Sequence, residues 1–194
     1  MRRTTSFIPL TILILAGGVV AAASSTAPEH AYVGSKNCKK CHIKEHRSWA
    51  ETKMAQTFEL LKPGVRAEAK TKAGLDPQKD YTTDKTCLPC HTTGFGKPGG
   101  FVDIETTPDL AGTGCEMCHG AGGTYTQDQH MSLKNREYKR AQVVAAGMVE
   151  TVGNAQCVTC HNSESPFVAD DFVFDFEANK DQGVHEIFPL KYSH

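Results

Sequence analysis

The chain has 194 residues, of which 39% are hydrophobic and 8% aromatic, and this size and composition fit one domain. Its 21 Lys and Arg residues are balanced by 22 Asp and Glu residues, so we expect no nucleic-acid partner. The mean hydropathy of −0.38 excludes a protein with several membrane spans.

The N-terminal segment has the pattern of a secretory signal peptide. Arg2 and Arg3 precede an apolar run over residues 7–20, and small residues follow at 21–24. We therefore predict a signal peptide over residues 1–23, export to the periplasm, and a mature domain over residues 24–194. Residues 24–35 of that domain are predicted to be a mobile leader. An uncleaved membrane anchor is the alternative, although the run is shorter than the roughly 20 residues of a span.

Removal of the signal peptide changes the charge balance. It takes Arg2 and Arg3 from the 21 basic residues and no acid, which leaves 19 basic against 22 acidic residues, a net charge of −3. Export also implies an oxidising compartment, where paired cysteines could be disulfides.

All eight cysteines fall in Cys-x-x-Cys pairs, and a histidine directly follows each pair. Motif one is Cys38, Cys41 and His42; motif two is Cys87, Cys90 and His91; motif three is Cys115, Cys118 and His119; motif four is Cys157, Cys160 and His161. This is the attachment pattern of c-type haem, in which two thiols bind one porphyrin edge and the histidine binds the iron. We predict four covalently bound haem c groups with these cysteines and proximal histidines.

Three other uses of Cys-x-x-Cys pairs fit the sequence less well. Zinc ribbons use two such pairs without needing a histidine after each. Redox-active pairs occur in a βαβ context that this sequence lacks. Structural disulfides rarely join cysteines three residues apart.

The chain is predicted to be mainly helical with long loops and little β-structure. Helices are expected over residues 42–61, with Trp49, Phe58 and Leu61 facing inward, and over residues 65–73 and 134–148. The glycine-rich stretches 94–100 and 120–123 are predicted loops, as are residues 76–84. The tail over residues 163–194 alternates phenylalanine with polar residues, which predicts a short extended segment.

The spacing of the motifs and the scarcity of apolar residues bear on the core. The first cysteines lie 49, 28 and 42 residues apart, so the motifs are not a regular structural repeat. We expect four packed haems to build the core of a compact multihaem cytochrome c. A chain of about 171 residues has a radius of gyration near ~15 Å, so the four haems must lie almost edge to edge.

Beyond the motifs, the intervening segments resemble those of the tetrahaem cytochrome c-554 family of ammonia-oxidising bacteria. The resemblance covers residues 34–130 well and the remainder loosely. It is carried by residues 40–42, Ser48 and Trp49, and by residues 61–64, 75–77, 79–82, 90–91, 94–96, 114–116 and 118–120.

The resemblance implies a second axial ligand for three of the four irons. It implies that His130 caps haem one and His185 caps haem four, while haem two, bound by motif two, is five-coordinate and high-spin. The family's cap for haem three falls on Met54 in this chain. A thioether ligand is chemically sound, and His/Met ligation raises the reduction potential relative to His/His ligation. Packing filler is the alternative role of this methionine.

Three histidines are left without an assigned iron. His46 lies one helical turn from His42, on the same face, and is predicted to be exposed to solvent. His30 and His194 lie near the ends of the chain and are predicted to be unstructured, although either could cap an iron in a neighbouring molecule.

The predicted function is single-electron transfer between redox proteins by a periplasmic carrier. The partners suggested by the resemblance are a hydroxylamine-oxidising-type multihaem enzyme or a membrane quinone-linked cytochrome, with the chain a monomer or weak oligomer. Four lysines surround motif one and seven acids crowd the tail, which could steer two different partners. The alternatives are nitric oxide reduction at an open haem two, and a subunit of a polymeric haem wire.

Overall fold

The computed structural model of the chain describes residues 30–190 and Tyr192. The predicted signal peptide, the first part of the predicted leader and His194 lie outside the described residues. The α-helices within them are α1 Ser35–Lys39, α2 Ile43–Ala50, α3 Ala67–Lys72, α4 Leu88–His91, α5 Cys115–His119, α6 Arg140–Ala145, α7 Asn154–Cys157 and α8 Phe176–Asn179, and the 3₁₀-helices are Thr57–Leu61 and Pro108–Leu110.

Turns and loops connect these short helices. Over the described part of the chain there is no sheet, and β-structure is confined to isolated bridges between Thr92 and Ala111 and between Ser132 and Asn135. The mainly helical class with long loops is therefore confirmed. In this part of the chain no helix is both long and apolar enough to cross a membrane.

The helix predicted over residues 42–61 is interrupted. Helix α2 ends at Ala50, and residues 51–56 form turns before the 3₁₀-helix Thr57–Leu61 begins. The Thr52 hydroxyl bonds the Trp49 carbonyl at 2.7 Å, a local bond that competes with helical pairing. The Met54 carbonyl accepts a hydrogen bond from the distant Thr113 N–H at 2.9 Å. Local and tertiary hydrogen bonds thus replace the helical ladder at this point.

The structure agrees with one of the other two predicted helices and shortens the other. The helix expected over residues 65–73 is present as α3, within two residues at each end. Of residues 134–148 only α6 is helical. The segment before α6 is held in a turn, where the Asn135 side chain donates to the Gln129 carbonyl at 2.8 Å. In the tail, residues 172–175 lead directly into α8 without pairing as a strand.

The second half of the predicted mobile leader is packed against the domain. Tyr32 N–H donates to the Pro98 carbonyl at 2.9 Å, and the Ala31 carbonyl accepts from Gly123 N–H at 2.8 Å. The prediction of mobility is therefore wrong for residues 30–35. The backbone partners of this segment, Pro98 and Gly123, lie in two glycine-rich loops that are distant in the sequence.

Apolar side chains form two small clusters rather than one large core. One is built from Phe58, Leu61, Tyr81, Leu88, Phe101 and Leu110, and the other from Tyr125, Val143 and Ala146. The inward positions predicted for Phe58 and Leu61 are confirmed, since both are buried. Trp49 is half-buried, and its indole N–H donates to the Thr113 carbonyl at 3.0 Å. This bond ties α2 to the segment just before motif three.

Gly112 is predicted to tolerate no side chain, and Gly64 provides a matched control. Both residues have positive φ, 86° and 74°, so alanine costs about 1 kcal/mol of backbone strain at either. A Cβ at Gly112 would lie 2.3 Å from the Ala55 carbonyl oxygen, whereas none meets a neighbour at Gly64. Gly112→Ala should therefore lower the thermal unfolding midpoint clearly more than Gly64→Ala. Equal shifts would show that the contact with Ala55 is unimportant.

Candidate functional site

Each motif is wound as one turn of helix. In motifs one, two and four the histidine N–H donates to the carbonyl of the first cysteine, with N···O distances of 2.9, 3.2 and 2.9 Å. Motif three coincides with α5. Positions i, i+3 and i+4 of a helical turn share one face, so the two sulfurs and the imidazole of each motif project to one side. This is the arrangement that a porphyrin bound through two thioethers and its iron requires.

Motifs one and three are in contact through their sulfur atoms. The thiols of Cys38 and Cys115 are hydrogen-bonded, and this bond raises the pKa of Cys38 and lowers the pKa of Cys115. The helices that carry these residues, α1 and α5, pack against each other. Two haem-attachment turns that are far apart in the sequence are therefore direct neighbours.

Motifs two and four meet in the same way. A hydrogen bond between the thiols of Cys90 and Cys160 raises the pKa of Cys90 and lowers the pKa of Cys160. Motifs three and four are also close: burial raises the pKa of Cys118 in motif three to about 11, with the nearby Cys157 and Cys160 of motif four contributing. Helix α5 also packs on α7. The motifs therefore follow one another in space in the order one, three, four, two.

The imidazole of His91 is held in a defined orientation. Its Nδ1 lies 2.7 Å from the Thr57 carbonyl oxygen, so Nδ1 carries the proton and donates. The lone pair of Nε2 is then directed to the other side of the ring. Metal-binding histidines are commonly oriented by such a bond to a backbone carbonyl.

His185 lies beside His119, the histidine of motif three. The ring centroids are 6.2 Å apart and the ring planes are tilted by 34°. Burial and then the nearby His185 and His42 lower the pKa of His119, which favours the neutral, ligating form of its imidazole. His185 Nδ1 donates to the Glu186 carbonyl at 2.7 Å and leaves Nε2 available. These two imidazoles would be able to hold one haem iron between them.

This placement differs from the pairing that the family resemblance implied. We expected His185 at motif four, yet the structure puts its ring against the histidine of motif three. The C-terminal segment is held there by contacts with α2: Glu186 N–H donates to the Ser48 hydroxyl at 2.8 Å, and Lys44 lies over the Phe188 ring. At motif four, His161 packs against Phe174 with ring centroids 4.8 Å apart.

His130 provides a test of whether the site fits a haem iron. Its Nδ1 is buried and has no hydrogen-bonding partner among the described residues. An unpaired buried nitrogen costs free energy that coordination to a metal would remove. The ring therefore fits the ligand role predicted for it, and the donor set of thiols and imidazoles fits haem c.

Met54 lies in the turn after α2 and is half-buried. Its carbonyl accepts bonds from Thr113 and from the Thr57 hydroxyl, so the backbone at this position is fixed. The ring of His185, and not Met54, is the group that lies against His119 in this structure. Ligation of an iron by Met54 stays a prediction.

Two of the unassigned histidines are placed differently from expectation. His46 packs edge-on against Trp49 with centroids 5.2 Å apart, and it is half-buried rather than fully exposed. Burial and then Lys39 lower the pKa of His46. His30 is structured: its Nδ1 bonds the Thr124 hydroxyl at 2.8 Å.

The packing of His30 bears on the haem-wire alternative. A Cβ on Gly147 would lie only 2.4 Å from the His30 ring, so the imidazole is packed tightly against that glycine. A side chain engaged within its own domain is poorly placed to bind an iron in a neighbouring molecule.

Sequence reasoning missed two residues of the site. Glu116, inside motif three, is almost fully buried at 1% exposure. Its carboxylate accepts from Val33, Gly34 and Gly122. The Thr57 carbonyl, which orients His91, was missed as well. The position of an acidic residue between two haem-binding cysteines was a sequence signal for Glu116. A backbone carbonyl such as that of Thr57 leaves no signal in the sequence.

Comparisons with known proteins agree with this geometry. Residues 37–120 match the family model described as cytochrome c554 and c-prime. Cytochrome c-554 of Nitrosomonas europaea is 44% identical over 127 residues, which are 62% of this chain. The alignment spans only 54% of that relative's length.

The likeness extends to the fold. The solved structure of reduced cytochrome c554 from Nitrosomonas europaea superposes with a TM-score of 0.74 and 34% sequence identity. The superposition covers 85% of this chain and 89% of that chain. It therefore extends beyond the region matched by the family model. The chain belongs to the cytochrome c-554 family of multihaem c-type cytochromes, and family membership implies covalently bound haem c.

Proposed function

We propose that this chain is an exported electron carrier that binds four haem c groups and moves single electrons along them. The observation that carries the proposal is the contact of the four attachment turns in the order one, three, four, two. When bound, the haem irons supply the redox chemistry by changing between the ferric and ferrous states. The polypeptide holds the four groups at contact distance and fixes their axial ligands.

The distribution of apolar side chains supports a core completed by porphyrins. The described residues contain few buried apolar side chains, and ten large ones are exposed. Five of these ten lie between residues 167 and 190, in the segment that follows motif four. Flat apolar macrocycles between the attachment turns would bury surface that the side chains alone do not cover.

The proposed axial ligands follow from orientation and burial. His42, His91, His119 and His161 are the proximal ligands, and His130 is the second ligand of haem one. We propose that His185 is the second ligand of haem three, because its ring faces His119 at 6.2 Å. Haem two is proposed to keep an open position, as the family resemblance implies.

Motif one is the best-placed point for electron exchange with a partner protein. Cys41 is exposed, whereas the other seven motif cysteines are half-buried. Lys39 and Lys40 next to it are exposed as well. A basic surface around an exposed haem edge fits a redox partner with an acidic docking face. A hydroxylamine-oxidising-type enzyme and a membrane quinone-linked cytochrome are the partner classes that we propose.

The proposed location is the periplasm. Its support is the segment over residues 1–23, with two arginines, an apolar run and small residues in signal-peptide order. Attachment of c-type haem is also consistent with an exported chain whose cysteines are all used in motifs.

The haem number can be measured directly. Mature protein secreted by a host that assembles c-type cytochromes should exceed its polypeptide mass by four haems, and reductive titration should consume four electrons per molecule. Replacing both cysteines of motif four with serine should remove one haem and one electron. A colourless product with the bare polypeptide mass would contradict the proposed function.

The assignment of His185 can be tested through spin states. His185→Ala should convert one low-spin ferric haem to high-spin in the electron paramagnetic resonance spectrum, because its iron loses an axial ligand. The same conversion should occur when haem four has been removed by Cys157→Ser and Cys160→Ser. If it disappears in that background, His185 binds haem four instead. His46→Ala, a histidine without an assigned iron, should leave the spin states unchanged.

Met54 has its own spectroscopic test. If its thioether binds a ferric iron, the oxidised protein should show the charge-transfer band of Met-ligated haem, and Met54→His should abolish this band. The same substitution should lower the reduction potential of that haem, because His/His ligation gives lower potentials than His/Met ligation. Absence of the band from the unsubstituted protein would exclude Met54 as a ligand.

A further inference from the structure

The buried carboxylate of Glu116 has a place in the structure that the attachment of haem does not explain. Glu116 is 1% exposed and lies between the two cysteines of motif three. Its oxygens accept hydrogen bonds from the backbone N–H groups of Val33 at 3.0 Å, Gly34 at 2.8 Å and Gly122 at 2.7 Å. A carboxyl group is seldom buried to this extent unless its bonding is complete.

The surroundings of Glu116 match the ionised form. All three partners are donors, and an ionised carboxylate is an acceptor only, so every contact is satisfied without a proton on the oxygens. Among the described residues, no lysine, arginine or histidine forms an ion pair with it. The negative charge is therefore stabilised by neutral dipoles and is not cancelled by a cation.

The field of this charge reaches both neighbouring motifs. The hydrogen bond to Cys115 and burial raise the pKa of Cys38 in motif one, and the charge of Glu116 adds to this rise. It acts on Cys115 in motif three in the same direction. The pKa of Tyr125 is raised too, by burial first and then by charges that include Glu116. The sulfurs of Cys38 and Cys115 are the points at which haems one and three would be attached.

We propose that Glu116 is a potential-setting residue, whose buried negative charge stabilises the ferric state of haems one and three and lowers their reduction potentials. The inference rests on the proposed function, since it presupposes that these haems are bound. A ferric haem carries one more positive charge than a ferrous haem, so a fixed anion favours the oxidised form. Glu116 is not among the charges that shift the pKa values of the cysteines in motifs two and four, so we expect haems two and four to be affected less by its charge.

The hydrogen bonds of Glu116 also have a mechanical role, which the test must separate from its charge. They join motif three to residues 33–34, just before motif one, and to the loop at Gly122. Loss of these hydrogen bonds would let water reach the haems. Water also stabilises the ferric state, so loosening lowers the potentials, whereas removal of the charge raises them. The two effects therefore have opposite signs.

The experiment is a spectroelectrochemical titration of the purified holoprotein, with haem content first confirmed by mass. Glu116→Gln keeps the side-chain size and removes the charge, and it should raise the midpoints of two of the four haems. We expect the ferrous-to-ferric ratio at fixed potential to rise about tenfold, which is 59 mV for a one-electron couple. Glu68→Gln removes the same charge from an exposed position in α3 and should change no midpoint.

A second variant covers the case in which Glu116→Gln does not acquire its haems. Val33→Lys places an ammonium group beside the intact carboxylate and should raise the same two midpoints. Unchanged or lowered midpoints in a variant with full haem content would overturn the role of Glu116. A wild-type protein without four haems would contradict the proposed function instead, so the two failures are distinguishable.

Discussion

Two sulfurs and one imidazole must reach the same porphyrin from a single turn of helix, and this requirement determines the architecture. In each motif the histidine closes the turn by bonding back to the first cysteine, within α5 or through the bonds at Cys38, Cys87 and Cys157. Helices of four to eight residues are too short to be stable alone in water. Their stability has to come from what they pack against, which in this family includes covalently bound haem.

Polar and backbone groups, as well as apolar side chains, join the motifs to neighbouring segments of the chain. Motif three is joined to the N-terminal segment through the Glu116 carboxylate, and motif two to residues 57–61 through His91. The Thr93 hydroxyl, fully buried, donates to the Gly112 carbonyl at 2.8 Å and accepts from Gly114 N–H at 2.8 Å. Such bonds are directional, so they set the relative orientation of neighbouring turns more sharply than apolar contact does.

The predictable parts of this structure are those that depend only on residues close together in the sequence. The Cys-x-x-Cys-His spacing identifies the attachment turns, and apolar spacing identifies Phe58 and Leu61 as buried. The break after α2 was not predictable, because it depends on the carbonyl of Met54 bonding to Thr113, which is far along the chain. Local periodicity carries no information on such a tertiary bond.

The same reasoning applies to the position of His185. Alignment to a family identifies which histidine is available, but its partner depends on where the C-terminal segment lies. Here that segment contacts Ser48 and Lys44 of α2, and these contacts place His185 beside His119. The packing of residues 30–35 was missed for a similar reason, because its partners are loops that sequence patterns describe only as turns.

The spatial order of the motifs gives the proposed electron route two unlike ends. Motif one lies at one end, with Cys41 and two lysines exposed. Motif two lies at the other, with His91 oriented by a backbone carbonyl and Leu88 buried in the larger apolar cluster. An anion at Glu116 acts mainly on the end that begins with motif one. A carrier built in this way would hold electrons less tightly at the motif-one end than at the motif-two end, which would give transfer along the haems a direction.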